Sequence, residues 1–221
     1  MQQSPAQPEP LTPAQVHDSL LPQLVLESRN PFNPVIVHHT PAPWVLLGAG
    51  NYAAVFCHPN FPHQVVKVYA PGRPGIEEEV EVYRRLGQHP AFSECFHAGE
   101  TFLVLKRLHG TTLYDCLHQG IAISDQVIQD IDMALAFVRQ RGLFPHDVHG
   151  RNVMVSGQRG IVVDVSDFLN SAPCRAWDDL KRGYYWLYRP LLRSLRIPIP
   201  YPLLDAVRQV YRWYRQAMRQ L

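Results

Sequence analysis

Strand-like and helix-like runs are segregated along this chain, and that segregation constrains the fold more than any other feature. Five short runs rich in β-branched and aromatic residues lie at 44–47, 54–57, 64–69, 95–97 and 101–106. Glycine, proline and asparagine separate them, as strand boundaries require. One helical pattern interrupts the series at 76–86, where Val80, Tyr83 and Leu86 recur at three-residue steps. Beyond residue 106 the periodicity changes. A long helix opens at Ser124 or Asp125 and carries Val127, Ile128, Ile131, Ala134, Leu135 and Val138 at intervals of three and four, ending near Gly142. A strand pair at 152–155 and 161–164 follows, then helical patterns around 177–195 and 202–221. Strands first and helices afterwards give an α+β chain with two lobes.

The chain has 221 residues, 46% of them hydrophobic and 18% charged, which excludes a wholly disordered protein. Nine of its 20 prolines fall within residues 1–43. Residues 1–10 are polar and rich in Pro and Gln, so residues 1–33 are expected to be a disordered or loosely structured segment. A short helix is expected inside it at 13–24, with Thr12 as cap, Pro13 at the first position and Pro22 against its continuation. A strand at 34–38 follows. The folded domain is expected over 34–221, its first lobe to about 107 and its second from about 108. Cys57, Cys95, Cys116 and Cys174 are too far apart for a zinc knuckle and read as reduced thiols. No apolar run approaches the roughly 20 residues of a membrane span, and a signal-peptide pattern is absent, so a cytoplasmic location is expected.

Three features have chemical content. The run Gly48-Ala49-Gly50-Asn51-Tyr52-Ala53-Ala54-Val55 nearly fits G-x-G-x-x-G-x-V, with Ala53 at the third glycine. A strand follows it rather than a helix, which argues against a dinucleotide site. Lys67 sits in an otherwise apolar strand, and a half-buried ammonium there needs an anion. Glu77, Glu78, Glu79 and Glu81 are the candidates on the next helix. Glu79 shares a helix face with Tyr83 and Leu86, so it is the first choice and Glu78 the second. The third feature is Phe144-Pro145-His146-Asp147-Val148-His149-Gly150-Arg151-Asn152, a polar loop between a long helix and a strand pair. Asp164 follows Asn152 by 12 positions (164 − 152).

In this order the motifs resemble the protein-kinase superfamily over about residues 44–167. The loop is similar to the H-x-D-x-H-x-x-N form of aminoglycoside phosphotransferases and other atypical kinases, with Pro145 in place of the first histidine. Only 57 residues follow Asp164 (221 − 164), and no Ala-Pro-Glu segment is among them, so the chain looks like reduced kinases of the RIO type. The resemblance implies a two-lobed protein-kinase-like fold, with a five-stranded antiparallel N-lobe plus one helix and a reduced, mainly helical C-lobe. It implies ATP and Mg2+ as cofactors. Gly48, Gly50, Val55 and Lys67 would bind the nucleotide, Glu79 would hold Lys67, and Asn152 and Asp164 would hold the metal, with Asp167 as second choice. Asp147 would accept the proton of the attacking hydroxyl, and His149 stands where most protein kinases carry a phosphate-contacting lysine. The triplet Asp164-Val165-Ser166 lacks the Phe and Gly of the usual Asp-Phe-Gly switch. Asp179, or equally Asp178, resembles the aspartate that braces the catalytic loop.

The expected reaction is transfer of the γ-phosphoryl group to a hydroxyl, with Ser or Thr of a protein substrate as acceptor. A small-molecule kinase of aminoglycoside-phosphotransferase type and a nucleotide-binding pseudokinase scaffold are the alternatives. Residues 175–221 hold ten Lys or Arg against three Asp. Arg208, Arg212, Arg215 and Arg219 form a basic stripe opposite an apolar one, which reads as a solvated face or as a site for an anionic partner.

Overall fold

The computed structural model describes residues 10–30 and 32–217. It separates into two units. One contains the chain up to Leu108 with Arg141–Leu143 and Val165–Leu169; the other contains His109–Gln140, Phe144–Asp164 and the chain from Asn170 on.

The first unit comprises helix α1 (Pro13–Ser19), strands β1 (Val25–Glu27), β2 (Ile36–His39), β3 (Val45–Ala49), β4 (Ala53–Cys57) and β5 (Gln64–Tyr69), helix α2 (Ile76–Leu86), and strands β6 (Cys95–Ala98) and β7 (Phe102–Lys106). The expected five-stranded sheet is present, antiparallel throughout, in the order β3-β4-β5-β7-β6. Strand alternation sorts β5 into two sets. Val66 and Val68 join Ala54, Phe56, Phe102 and Val104 in a core that also takes in Leu11, Val16 and Leu20. Val65, Lys67 and Tyr69 belong to the opposite face. Complete burial of each large side chain in that core is worth about 1.5–3 kcal/mol.

The N-terminal segment differs from its expectation of disorder or loose structure. Residues 1–9 lie outside the described residues, but those that follow are packed. Thr12 and Gln15 close a capping box on α1, Leu11 N–H donates to Gln64 Oε1 at 2.6 Å, and Trp44 Nε1 donates to Ser19 Oγ at 3.1 Å. Val16 and Leu20 are fully buried, so their apolar surface offsets the entropy of ordering the segment. The helix stops at Ser19 rather than near residue 24. Pro22 lacks an N–H and disfavours helical backbone at Leu21. A β1–β2 pair, with only the second strand expected, completes this region.

The second unit contains β8 (Thr111–Thr112), α3 (Leu113–Gln119), α4 (Asp125–Gln140), β9 (Val153–Ser156), β10 (Arg159–Val162), α5 (Ala176–Gly183), a π-helical stretch (Tyr184–Leu192) and α6 (Tyr201–Ala217). Helix α3 has no counterpart in the sequence reading, although Thr112 caps it and Gly120 ends it in left-handed backbone. Pro190 lies inside the π-helical stretch, where the wider turn accommodates a residue that cannot donate. Gly160 sets the approach of β10 to α4, because a Cβ there would lie 2.5 Å from Val127 O.

Asp130 fastens the same junction. Its carboxylate, 5% exposed, accepts from Arg159 Nε at 2.7 Å, Gly160 N at 3.0 Å and Gln126 Nε2 at 2.8 Å. Burial alone would raise its proton affinity, but the three donors outweigh burial and hold the carboxyl below its ordinary value. Its contribution to stability is therefore complete above an unfolded-state pKa of about 3.9 and is lost as pH falls through the lower folded value. Asp130→Ala, which leaves the Gly160 N–H without its acceptor, is expected to cost about 1–3 kcal/mol at pH 7. Chemical denaturation of the two proteins should show this gap shrinking in strong acid.

Helix α6 buries only one edge of its apolar stripe. Leu204 is 9% exposed and Tyr211 is half-buried, donating to Asp179 Oδ2 at 2.8 Å. Leu203, Val207 and Val210, apolar residues of the same helix, are 57%, 62% and 68% exposed. Leu203 and Val210 each lie about 100° around the helix from their neighbours Leu204 and Tyr211, and those two neighbours make the packing contact. Arg208 is exposed, and Arg219 lies outside the described residues.

Candidate active site

In the first unit the β5 lysine and the α2 glutamate meet. Lys67 Nζ lies 2.7 Å from Glu79 Oε2, with the two side chains 13% and 1% exposed. Glu77 and Glu78 are exposed, whereas Glu79, Tyr83 and Leu86 occupy the buried face of α2. Tyr69 is two residues beyond Lys67 on the same strand face, and its hydroxyl donates to the same Glu79 oxygen. A carboxylate this deeply buried holds its charge only when strong donors replace water, and here an ammonium and a phenol do so.

The glycine run is the β3–β4 hairpin. Gly50 N–H donates to Ala53 O at 2.8 Å, which closes the turn, and Gly50 O accepts from Val35 N at 2.8 Å, which ties the turn to the segment before β2. Neither Gly48 nor Gly50 needs to be glycine for the fold. A Cβ at Gly48 would meet nothing within 4 Å, and one at Gly50 only Ala53 O at 3.8 Å. What the missing Cβ atoms leave open is a path to the backbone. Val55 on β4 stands opposite Lys67 in the register.

In the second unit the loop before β9 holds Asp147, His149 and Asn152 together. Asn152 Nδ2 donates to Asp147 O at 3.1 Å, Asn152 N–H donates to His149 O at 2.9 Å, and His149 Nε2 lies 3.6 Å from Asp147 Oδ2. Asp147 has a left-handed backbone, φ 53°, which non-glycine residues adopt only where their surroundings hold them. Part of that hold is its own N–H, donated to Cys174 Sγ at 3.4 Å. Asp147 is about half exposed, with a side-chain exposure of 52%. Asp164 lies two residues past the end of β10, not at the strand terminus, and its neighbour Val163 donates to Asn152 O at 3.0 Å. One strand connection thus sets both Asn152 and Asp164. Asp178 is exposed; Asp179 is the partly buried member of that pair.

No family model matches the chain. A Bacillus subtilis protein named "Putative serine/threonine-protein kinase YrzF" is 33% identical over 156 residues, covering 69% of this chain and 73% of that protein. This chain belongs to the protein-kinase-like superfamily. Membership places it among the kinase-like phosphotransferases. A Dictyostelium discoideum protein named "Probable myosin light chain kinase" is 26% identical over 101 residues, 42% of this chain and 32% of that protein. Among solved structures, the Mycobacterium tuberculosis PknI kinase domain, a cysteine-to-alanine variant, is 24% identical with a TM-score of 0.44. That match covers 60% of this chain and 62% of the PknI chain, so this kinase-like chain spans under two thirds of that domain.

The donor chemistry of the second unit fits a hard divalent ion. Asn152 commits its amide nitrogen to Asp147 O, which leaves the amide oxygen as the acceptor end, and Asp164 supplies a carboxylate. Among the described residues no group of three or more His, Cys, Asp and Glu forms a metal site. One amide and one carboxylate suit an ion that brings phosphate and water ligands with it. Two residues of this kinase-like chain escaped the sequence reading. Tyr69 was legible only as two positions from Lys67. Phe168 is fully buried in the first unit, edge-to-face with Phe92 at 6.3 Å, four residues after Asp164. No helix among the described residues is long and apolar enough to cross a membrane.

Proposed function

We propose that this chain transfers the γ-phosphoryl group of ATP to a hydroxyl, with serine or threonine of a protein as acceptor. The observation that carries the reading is the buried Lys67–Glu79 pair at 2.7 Å, in a chain that also keeps Asp147, Asn152 and Asp164 in order. A lysine held by a buried carboxylate has a fixed ammonium, and a fixed cation beside a triphosphate lowers the cost of bringing negative groups together. Bound magnesium would neutralise phosphate charge. Lys67 orients the nucleotide phosphates, and the Gly48–Gly50 hairpin allows the backbone to approach them. Asn152 and Asp164 hold the metal. Asp147 accepts the proton of the acceptor hydroxyl, and the His149 imidazole stands 3.6 Å from its carboxylate.

Asp164→Ala tests the metal assignment. Calorimetric titration with ATP is expected to lose most of its magnesium dependence, because the carboxylate that fixes the ion is gone. Unchanged magnesium-dependent affinity would remove Asp164 from that role and move it to Asp167.

A further inference from the structure

Tyr69 has a place that the kinase reading leaves unused. Its side chain is 6% exposed, and its hydroxyl donates to Glu79 Oε2, the oxygen that also lies 2.7 Å from Lys67 Nζ. Gly75 O, at the start of α2, lies 3.3 Å from the same hydroxyl. A phenol has one proton, and the carboxylate takes it because a charged acceptor binds a donor about twice as strongly as a carbonyl does. Lys67 Nζ is also 5.7 Å from the Tyr69 ring centroid, within the range of a cation–π contact.

The backbone around Tyr69 is pinned. Tyr69 N–H donates to Thr101 O at 2.8 Å, Ala70 N–H donates to Tyr52 O at 2.9 Å, and Tyr69 stands opposite Ala53 in the β4–β5 register. The phenol is therefore a fixed donor from the sheet. Glu79, in contrast, comes from α2, whose N-cap Gly75 has left-handed backbone and no side-chain cap.

We propose that Tyr69 is the positioning residue for the Lys67–Glu79 pair. Its hydroxyl locates the Glu79 carboxylate from the strand that carries Lys67, so the lysine meets its counter-ion in one geometry. Part of this rests on the phosphotransfer reading, since only an ATP-dependent enzyme would express the positioning as turnover. The position of Glu79 itself does not depend on that reading.

Two readouts separate the claims. Wild type, Tyr69→Phe, Glu79→Gln and the double variant are compared, first by the rate at which an amine-reactive ester acylates Lys67, read by peptide mass spectrometry. The second readout is kcat/KM for ATP. Tyr69→Phe keeps the ring and its packing. In the wild-type background it is expected to speed acylation several-fold and to lower kcat/KM about tenfold; in the Glu79→Gln background it should change either by less than about twofold. Equal effects in both backgrounds would mean that the hydroxyl acts without the Glu79 carboxylate and would overturn the proposal, as would no effect in the wild-type background. A wild type that transfers no phosphate would refute the phosphotransfer reading, while the acylation cycle would still decide the role of Tyr69.

Discussion

Asp147→Asn is expected to lose phosphoryl transfer by at least about 100-fold while binding ATP as well as the wild type does, because a positioned general base contributes about 10²–10⁴ to rate. The substitution keeps size and hydrogen-bonding capacity. It removes the charge that, in the proposed mechanism, receives the acceptor's proton, and with it the partner that His149 faces at 3.6 Å. The backbone should survive, since Asp147 N–H donates to Cys174 Sγ and Asn152 Nδ2 donates to Asp147 O, and neither bond uses the carboxylate. Asparagine also tolerates left-handed backbone, so the φ of 53° is kept. The effect should therefore fall on turnover and leave nucleotide affinity in place. Parallel loss of affinity and thermal stability would mean that the variant failed to fold, and the charge-neutral Asp147→Ser would then serve as the second test.

Lys67→Ala and Glu79→Ala are expected to cripple the same step and to differ in stability. Removing Lys67 leaves the Glu79 carboxylate, 1% exposed, with the Tyr69 hydroxyl as the donor seen at Oε2. Breaking a buried ion pair from one side costs about 3–5 kcal/mol, because the other charge remains desolvated. Removing Glu79 leaves an ammonium whose side chain is 13% exposed on a flexible stem, and it relieves its charge more easily by turning toward water. Lys67→Ala should thus be the less stable variant in urea denaturation. Both should lose kcat/KM for ATP by about 10²-fold or more, the first by losing the proposed phosphate contact and the second by removing the carboxylate that fixes Lys67. Glu78, which is exposed, gives the internal control: Glu78→Ala should leave both quantities near wild type.

Much of this was legible in the residue order. The five strands of the sheet follow from β-branched runs between glycine and proline breaks, because side-chain alternation and turn chemistry are local properties. The inward turn of Glu79 follows from its helical spacing to Tyr83 and Leu86. Structure that depends on distant partners was hidden. Packing of Leu11, Val16 and Leu20 against the sheet needs a bare apolar face formed by residues far along the chain, and a proline-rich composition masks it. Helix α3 is seven residues long, too short for its periodicity to stand out, and only its cap Thr112 and the glycine at 120 mark it. Helix α6 poses a related difficulty: its apolar stripe is long, and helical spacing says which residues share a face without saying which of them meet the body. Tyr69 could be placed beside Lys67 by strand period, but its bond to Glu79 joins two elements, and no spacing rule gives that.

The central claim is tested most directly by incubating the purified chain with γ-labelled ATP and magnesium, together with a protein extract, and measuring acid-stable label on serine and threonine. Wild type should transfer label, and Asp147→Asn, at matched ATP occupancy, should not. A wild type that binds ATP yet transfers no more label than Asp147→Asn would contradict the account and leave a nucleotide-binding scaffold in its place.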